Sequence, residues 1–217
     1  MAEWTYLNYS DAERLELRTL LEKVKSFPDS NLAIAINCKY PTKYDEPDLF
    51  ALIDEIRSEH RITAVASSVD VISWALPLFL EADFNYCTKD TSLSLTDLSL
   101  KSMELTAGII GRLGGKSHGM YLFVKESLSA DYFYSRGLIT ALLNQREISG
   151  FEQFFTDFLS GKDQNTLAII KKTLCSPVKS NLLRSFDIER ENFVRCFENG
   201  AAEKISQYLR NHLRNKS

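Results

Sequence analysis

Proline and glycine are scarce, 5 and 9 of 217 residues. That excludes collagen-like, low-complexity and linker-rich chains, which need far more of both. Cysteine is equally thin: Cys38, Cys87, Cys175 and Cys196 are widely scattered, with no Cys-x-x-Cys and no histidine at ligand spacing. No zinc pattern follows from such spacing, and no metal site is expected. A core of this size needs no disulfide staples, so reduced thiols in a cytoplasmic setting are expected. The 3 histidines, His60, His118 and His212, stand apart from any nucleophile elbow or His-Glu-x-x-His pattern. They read as helix-end or surface residues.

Long apolar runs are missing too. The longest, Val71 to Leu80, is broken by Ser73 and Pro77 and falls short of the roughly 20 residues needed to span a bilayer. Met1-Ala2-Glu3-Trp4 lacks the basic end and apolar run of a signal peptide, so neither a membrane nor a secretory route is expected. Nor does one sign of charge dominate. Against 26 Lys and Arg stand 29 Asp and Glu, for a net charge of −3. A nucleic-acid partner usually calls for a strong basic field, and none is expected here. Residues 176–217 are the exception, with 8 basic and 5 acidic groups.

What is present is an ordinary globular mixture, 44% hydrophobic and 25% charged. Ser10-Asp11-Ala12-Glu13 reads as a capping box ahead of Leu17, Leu20, Leu21 and Val24 at helical spacing, with Pro28 as the stop. Leu32 to Ile36 is a wholly apolar β-type run, as in a strand covered on both faces. A helix from Pro47 follows, with Leu49, Leu52, Ile53 and Ile56 as its buried stripe. Ile62 to Ala66 reads as a second strand, Asp70 to Ala82 as a helix and Phe84 to Thr88 as a third strand. Strands alternating with helices predict an α/β core with parallel strands.

Beyond residue 100 helices succeed one another, over about 102–111, 117–125, 129–136, 150–160, 163–174, 187–198 and 200–214. Ser129 caps one and Gly137 ends it, leading into the apolar run Leu138 to Leu143. The best division is a sheet-containing core over 1–145 and a helical portion over 146–217. Gly111-Arg112-Leu113-Gly114-Gly115-Lys116-Ser117 superficially suggests a phosphate loop. The residue count fails and no strand precedes it, so it reads as one helix ending and another beginning. Asp97, at the end of the strand-like Ser92 to Leu98, lies beside apolar residues. It could act as an acid or base with a raised pKa, or simply cap the next helix.

Taken in order, these segments resemble the crotonase (enoyl-CoA hydratase/isomerase) superfamily along nearly the whole chain. Trp4-Thr5-Tyr6-Leu7-Asn8 looks like the opening strand with its Leu-Asn, and Glu81-Ala82-Asp83-Phe84 like the Cys-Asp-Ile/Leu that begins a later strand. Arg112-Leu113-Gly114-Gly115-Lys116-Ser117, Leu128-Ser129-Ala130-Asp131 and Ser135-Arg136-Gly137-Leu138-Ile139 follow the family's Arg-x-x-Gly and Ile-Ser-Ala…Gly-Leu-Val stretches. The resemblance implies a crotonase-like (ClpP/crotonase) ββα spiral core with a helical C-terminal portion, assembled as a homotrimer or hexamer. It implies lyase or isomerase chemistry on an acyl-CoA or acyl-carrier-protein thioester without a cofactor, two backbone N–H groups holding the thioester oxygen as an enolate forms.

Carried over residue by residue, the two N–H groups fall near Cys38–Lys39 and Trp74–Ala75, and one acid/base position falls at Asp97. The sequence departs from the pattern at the same places. Ser73-Trp74-Ala75 stands where the family has glycines, Pro77 where it has its first Glu, and the Ala-Gly-Ala-Asp loop has no counterpart after Asn37-Cys38. Two readings follow: a diverged hydratase/isomerase resting on Asp97, or a catalytically silent crotonase-fold protein with a scaffolding or regulatory role.

Overall fold

The computed structural model describes residues 4–10, 16–28, 30–37, 44–58, 60–95, 98, 100–125, 127–159 and 166–172. These belong to one compact unit, Met1–Lys171, apart from Lys172. The helices expected over 187–198 and 200–214 lie outside the described residues.

Five parallel strands form the main sheet: β1 Trp4–Ser10, β2 Asn31–Asn37, β3 Thr63–Ser67, β4 Phe84–Thr88 and β7 Ala141–Leu143, adjacent in that order. Between them run α1 Leu17–Lys25, α2 Glu46–Arg57 and α3 Ala75–Glu81. A small antiparallel pair, β5 Ser92–Ser94 with β6 Ser127–Ser129, is extended on its other side by a parallel bridge from Val71 to Leu93. The repeat is then visible. Strand β3, the extended Val71 and helix α3 form one ββα turn; β4, β5 and helix α4 Leu100–Gly114 form the next. Helices α5 Lys116–Lys125 and α6 Ala130–Ser135 flank β6, and α7 Gln145–Ser149 and α8 Phe151–Leu159 follow β7.

Side-chain alternation divides the core by the two sheet faces. Leu7, Tyr9, Leu32, Ile34, Ile36, Val65 and Cys87 join the cluster built with α1 to α4. Ala33, Ala64, Ala66 and Tyr86 face the other way, toward Ile148, Phe151 and Phe155. Both faces of β2 and β3 are covered, which is why those strands read as unbroken apolar runs.

Two local expectations change. Ser10 is the last residue of β1, and α1 begins at Leu17 after an extended Glu16, so Ser10 is not its cap. The helix expected from Asp70 is only Ala75–Glu81, because Val71 is drawn into the bridge with Leu93 and Ser73 adopts φ 53°. The glycine-rich stretch is the expected helix junction, with Gly115 at φ +88° separating α4 from α5. The Ser129 cap and Gly137 stop hold: the Ser129 side chain accepts from the Tyr132 N–H, and Gly137 takes φ +69°. Leu138 N–H then reaches the Phe133 carbonyl and Gly137 N–H that of Tyr134, the paired closure that lets a chain leave a helix sharply.

Candidate functional site

Parallel pairing sends the carboxyl ends of β1, β2 and β3 to one edge, where open α/β sheets place ligands. Asn8, Asn37 and Ser68 come from these three strands or the residue just after. They form a relay: Ser68 Oγ–H donates to Asn37 Oδ1 at 2.7 Å, and Asn37 Nδ2–H donates to Asn8 Oδ1 at 3.0 Å. The three line a cleft of about 470 Å³, with Ala33 and Ala35 as its floor and Ile148, Phe151 and Glu152 opposite. A reciprocal cap fixes the opposite wall. Asn144 Oδ1 accepts from Glu147 N–H at 2.9 Å while Glu147 accepts from Asn144 N–H at 2.8 Å, starting α7. Trp4 meets Phe155 edge-on at 4.7 Å and Phe151 stacks on Phe155 at 5.6 Å, seating α8.

The start of α3 belongs to the other face. Trp74 is fully buried, its ring 5.1 Å from that of Tyr9 at 86°. Its indole Nε1–H has no hydrogen-bond partner. Ala75 N–H donates to the Ile72 carbonyl at 3.2 Å and Leu76 N–H to that of Ser73 at 3.1 Å. Pro77 is buried in the same short helix. Trp74 and Ala75 thus sit together in the helix-side core and do not line the cleft. Cys38, Lys39 and Asp97 lie outside the described residues. Their neighbours part ways: Asn37 lines the cleft, whereas Leu95 and Leu98 are buried in the helix-side core. Sequence reading missed the relay and its cleft. The available signal was a polar residue ending each of three consecutive strands on the same alternating face.

Other titratable groups are engaged structurally. Lys171 Nζ–H donates to the carbonyls of Ile56 (3.0 Å) and Arg61 (2.8 Å) and to Asp83 Oδ2 (2.8 Å). The same carboxylate oxygen accepts from Thr63 N–H and Oγ–H. Burial raises the Asp83 pKa, with the Lys171 charge opposing. Cys87 is a free buried thiol, pushed up to about 12 by burial against an opposing hydrogen bond with Thr91, and is therefore a poor nucleophile. His118 Nδ1 pairs with Tyr132 Oη at 3.0 Å, the backbone N–H of His60 donates to Ser58 Oγ, and His212 lies outside the described residues. Among the described residues no His, Cys, Asp and Glu group could hold a metal ion, and no helix is long and apolar enough to cross a membrane.

No family model matches the sequence, and no curated protein does. Solved structures do match in fold. A monofunctional enoyl-CoA isomerase from M. smegmatis shares 16% identity over 82% of this chain and 90% of its own, with a TM-score of 0.68. An enoyl-CoA hydratase from Thermoplasma volcanium GSS1 shares 17% identity over 89% and 88%, at 0.64. Methylmalonyl-CoA decarboxylase in complex with 2-nitronate-propionyl-CoA shares 13% over 80% and 78%, at 0.62.

Proposed function

The chain has the crotonase fold, and on that premise we propose that it is a catalytically silent protein of that fold, with a scaffolding or regulatory role. One observation carries this reading: the fully buried Trp74 indole at the start of α3. An enolate cradle there needs backbone N–H groups open to a ligand oxygen. Here an aromatic ring packs against Tyr9, and the Ala75 N–H is already spent on Ile72. A hydrogen bond to a thioester oxygen would have to displace that contact. The free Cys87 thiol supports a reducing, cytoplasmic setting.

A second reading keeps the chemistry. Asn37, directly ahead of Cys38, opens onto the cleft, which favours an acyl-CoA or acyl-carrier-protein thioester held near Cys38–Lys39, with Asp97 as acid/base. Crotonyl-CoA and crotonyl-pantetheine, the latter free and on a carrier protein, separate the two. The silent reading expects no turnover in wild type beyond that of Asp97→Asn. It also expects no thermal shift with CoA esters, whereas saturation at 100 times Kd would add about 2.7 kcal/mol. Turnover abolished by Asp97→Asn would overturn it and establish the second reading.

A further inference from the structure

The two sheet faces are filled unequally. Toward α1 to α4, β2 presents Leu32, Ile34 and Ile36, all buried. On the opposite face it presents Ala33 and Ala35, which line the cleft of about 470 Å³ together with Ile148 and Phe151. That volume lies within the range of small-molecule sites, which combine an apolar body with a few fixed polar groups.

The polar groups define a chemistry. Among the described residues that line the cleft there is no Lys, Arg or His, and Glu152 is the one acidic side chain. Among the described residues no cation pairs with Glu152. The relay from Ser68 through Asn37 occupies Asn8 Oδ1 as an acceptor, which leaves the Asn8 Nδ2 hydrogens as donors toward a ligand. An apolar floor, an amide donor and a carboxylate paired with no cation among the described residues thus line one space.

We propose that this cleft binds a small amphipathic primary amine. Its apolar body lies over Ala33, Ala35 and Phe151, its ammonium group pairs with Glu152, and a hydroxyl or carbonyl oxygen accepts from Asn8. An anionic group beside Glu152 meets a like charge that no cation among the described lining residues offsets. The site is independent of Trp74 and Asp97, so it stands or falls apart from the silent-protein reading.

Tyramine and 4-hydroxyphenylacetate share a ring and a hydroxyl but carry opposite charges, and serve as the probes. In a ¹⁵N NMR titration of the full chain, tyramine is expected to give saturable shifts at Asn8, Asn37, Ser68 and Glu152, and the carboxylate none. Glu152→Gln is expected to weaken tyramine binding about tenfold, as for loss of a charge-assisted hydrogen bond. Ala35→Leu, which fills the floor, is expected to abolish binding, while the smaller change Ala35→Ser retains it and controls for folding. Absence of saturable tyramine shifts at millimolar concentration, equal response to the two probes, or undiminished binding by Glu152→Gln would each overturn the proposal.

Discussion

Lys171 shows how much one side chain can hold. Its ammonium closes on two carbonyls and on Asp83, joining the end of α2 to the starts of β3 and β4 from the helical stretch 166–172. Removing one partner of a buried pair leaves the other charge uncompensated, which costs about 3–5 kcal/mol. Lys171→Met is expected to lose that much in urea unfolding. The pH dependence has a definite sign. Asp83 has a pKa above its ordinary 3.8, so the native state binds this proton more tightly than the unfolded chain does. Its contribution is fully present below the ordinary value and is lost as pH rises through the folded one. The unfolding free energy of wild type relative to Asp83→Asn is therefore expected to move in favour of wild type on acidification toward 3.8. A difference that stays flat, or moves the other way, would refute the assignment. At Trp74 the residue scale is plain packing: Trp74→Ala is expected to cost about 3–5 kcal/mol by opening a cavity, read as a fall in the urea midpoint.

Elements are set partly by pattern and partly by contacts that no local pattern carries. The apolar run Leu32 to Ile36 and the stripe Leu49, Leu52, Ile53 and Ile56 were legible because burial on both strand faces, or along one helix face, leaves a periodic trace. Val71 was not legible as extended. Its helical spacing with later residues is real, but Val71 N–H bonds the Ser92 carbonyl at 2.8 Å and Ser94 N–H bonds the Val71 carbonyl at 3.0 Å. A tertiary partner some twenty positions away in sequence overrides the local preference. The candidate site divides the same way. Trp74, where the resemblance implies a glycine, is visible in sequence as a departure, whereas the Asn8–Asn37–Ser68 relay exists only once parallel pairing brings three strand ends together. Turn glycines offer a clean test of element boundaries. Gly115 and Gly137 have positive φ and nothing within 4 Å of an added Cβ. Alanine at either meets no steric clash, only the left-handed backbone, so each substitution is expected to cost about 1–2 kcal/mol, measured by chemical denaturation. A stabilised Gly137→Ala would show that the α6 stop is not conformationally required.

At the scale of the molecule, the parallel sheet accounts for burial on both of its faces but leaves an apolar surface elsewhere. On α5, Met120 and Val124 are 60% and 76% exposed, one helical turn apart, with Tyr121 between them and Tyr134 of α6 also exposed. Large apolar side chains exposed together on one helix are a common mark of association. Homo-oligomers close by cyclic or dihedral symmetry, and we propose that this surface joins copies of the chain into the trimer or hexamer that its resemblance implied. Residues four apart on α5 share a face, so Met120 and Val124 can enter one interface without disturbing Leu122, which is buried on the inner side. Light scattering on the wild type is expected to give about three or six times the 24.7 kDa chain mass. Met120→Lys with Val124→Lys puts two charges into that contact and is expected to yield monomers with an unchanged far-ultraviolet circular dichroism spectrum, because neither side chain belongs to the buried core. A wild-type mass of one chain would remove self-association from the account. Oligomers that survive the double substitution would move the interface to another surface.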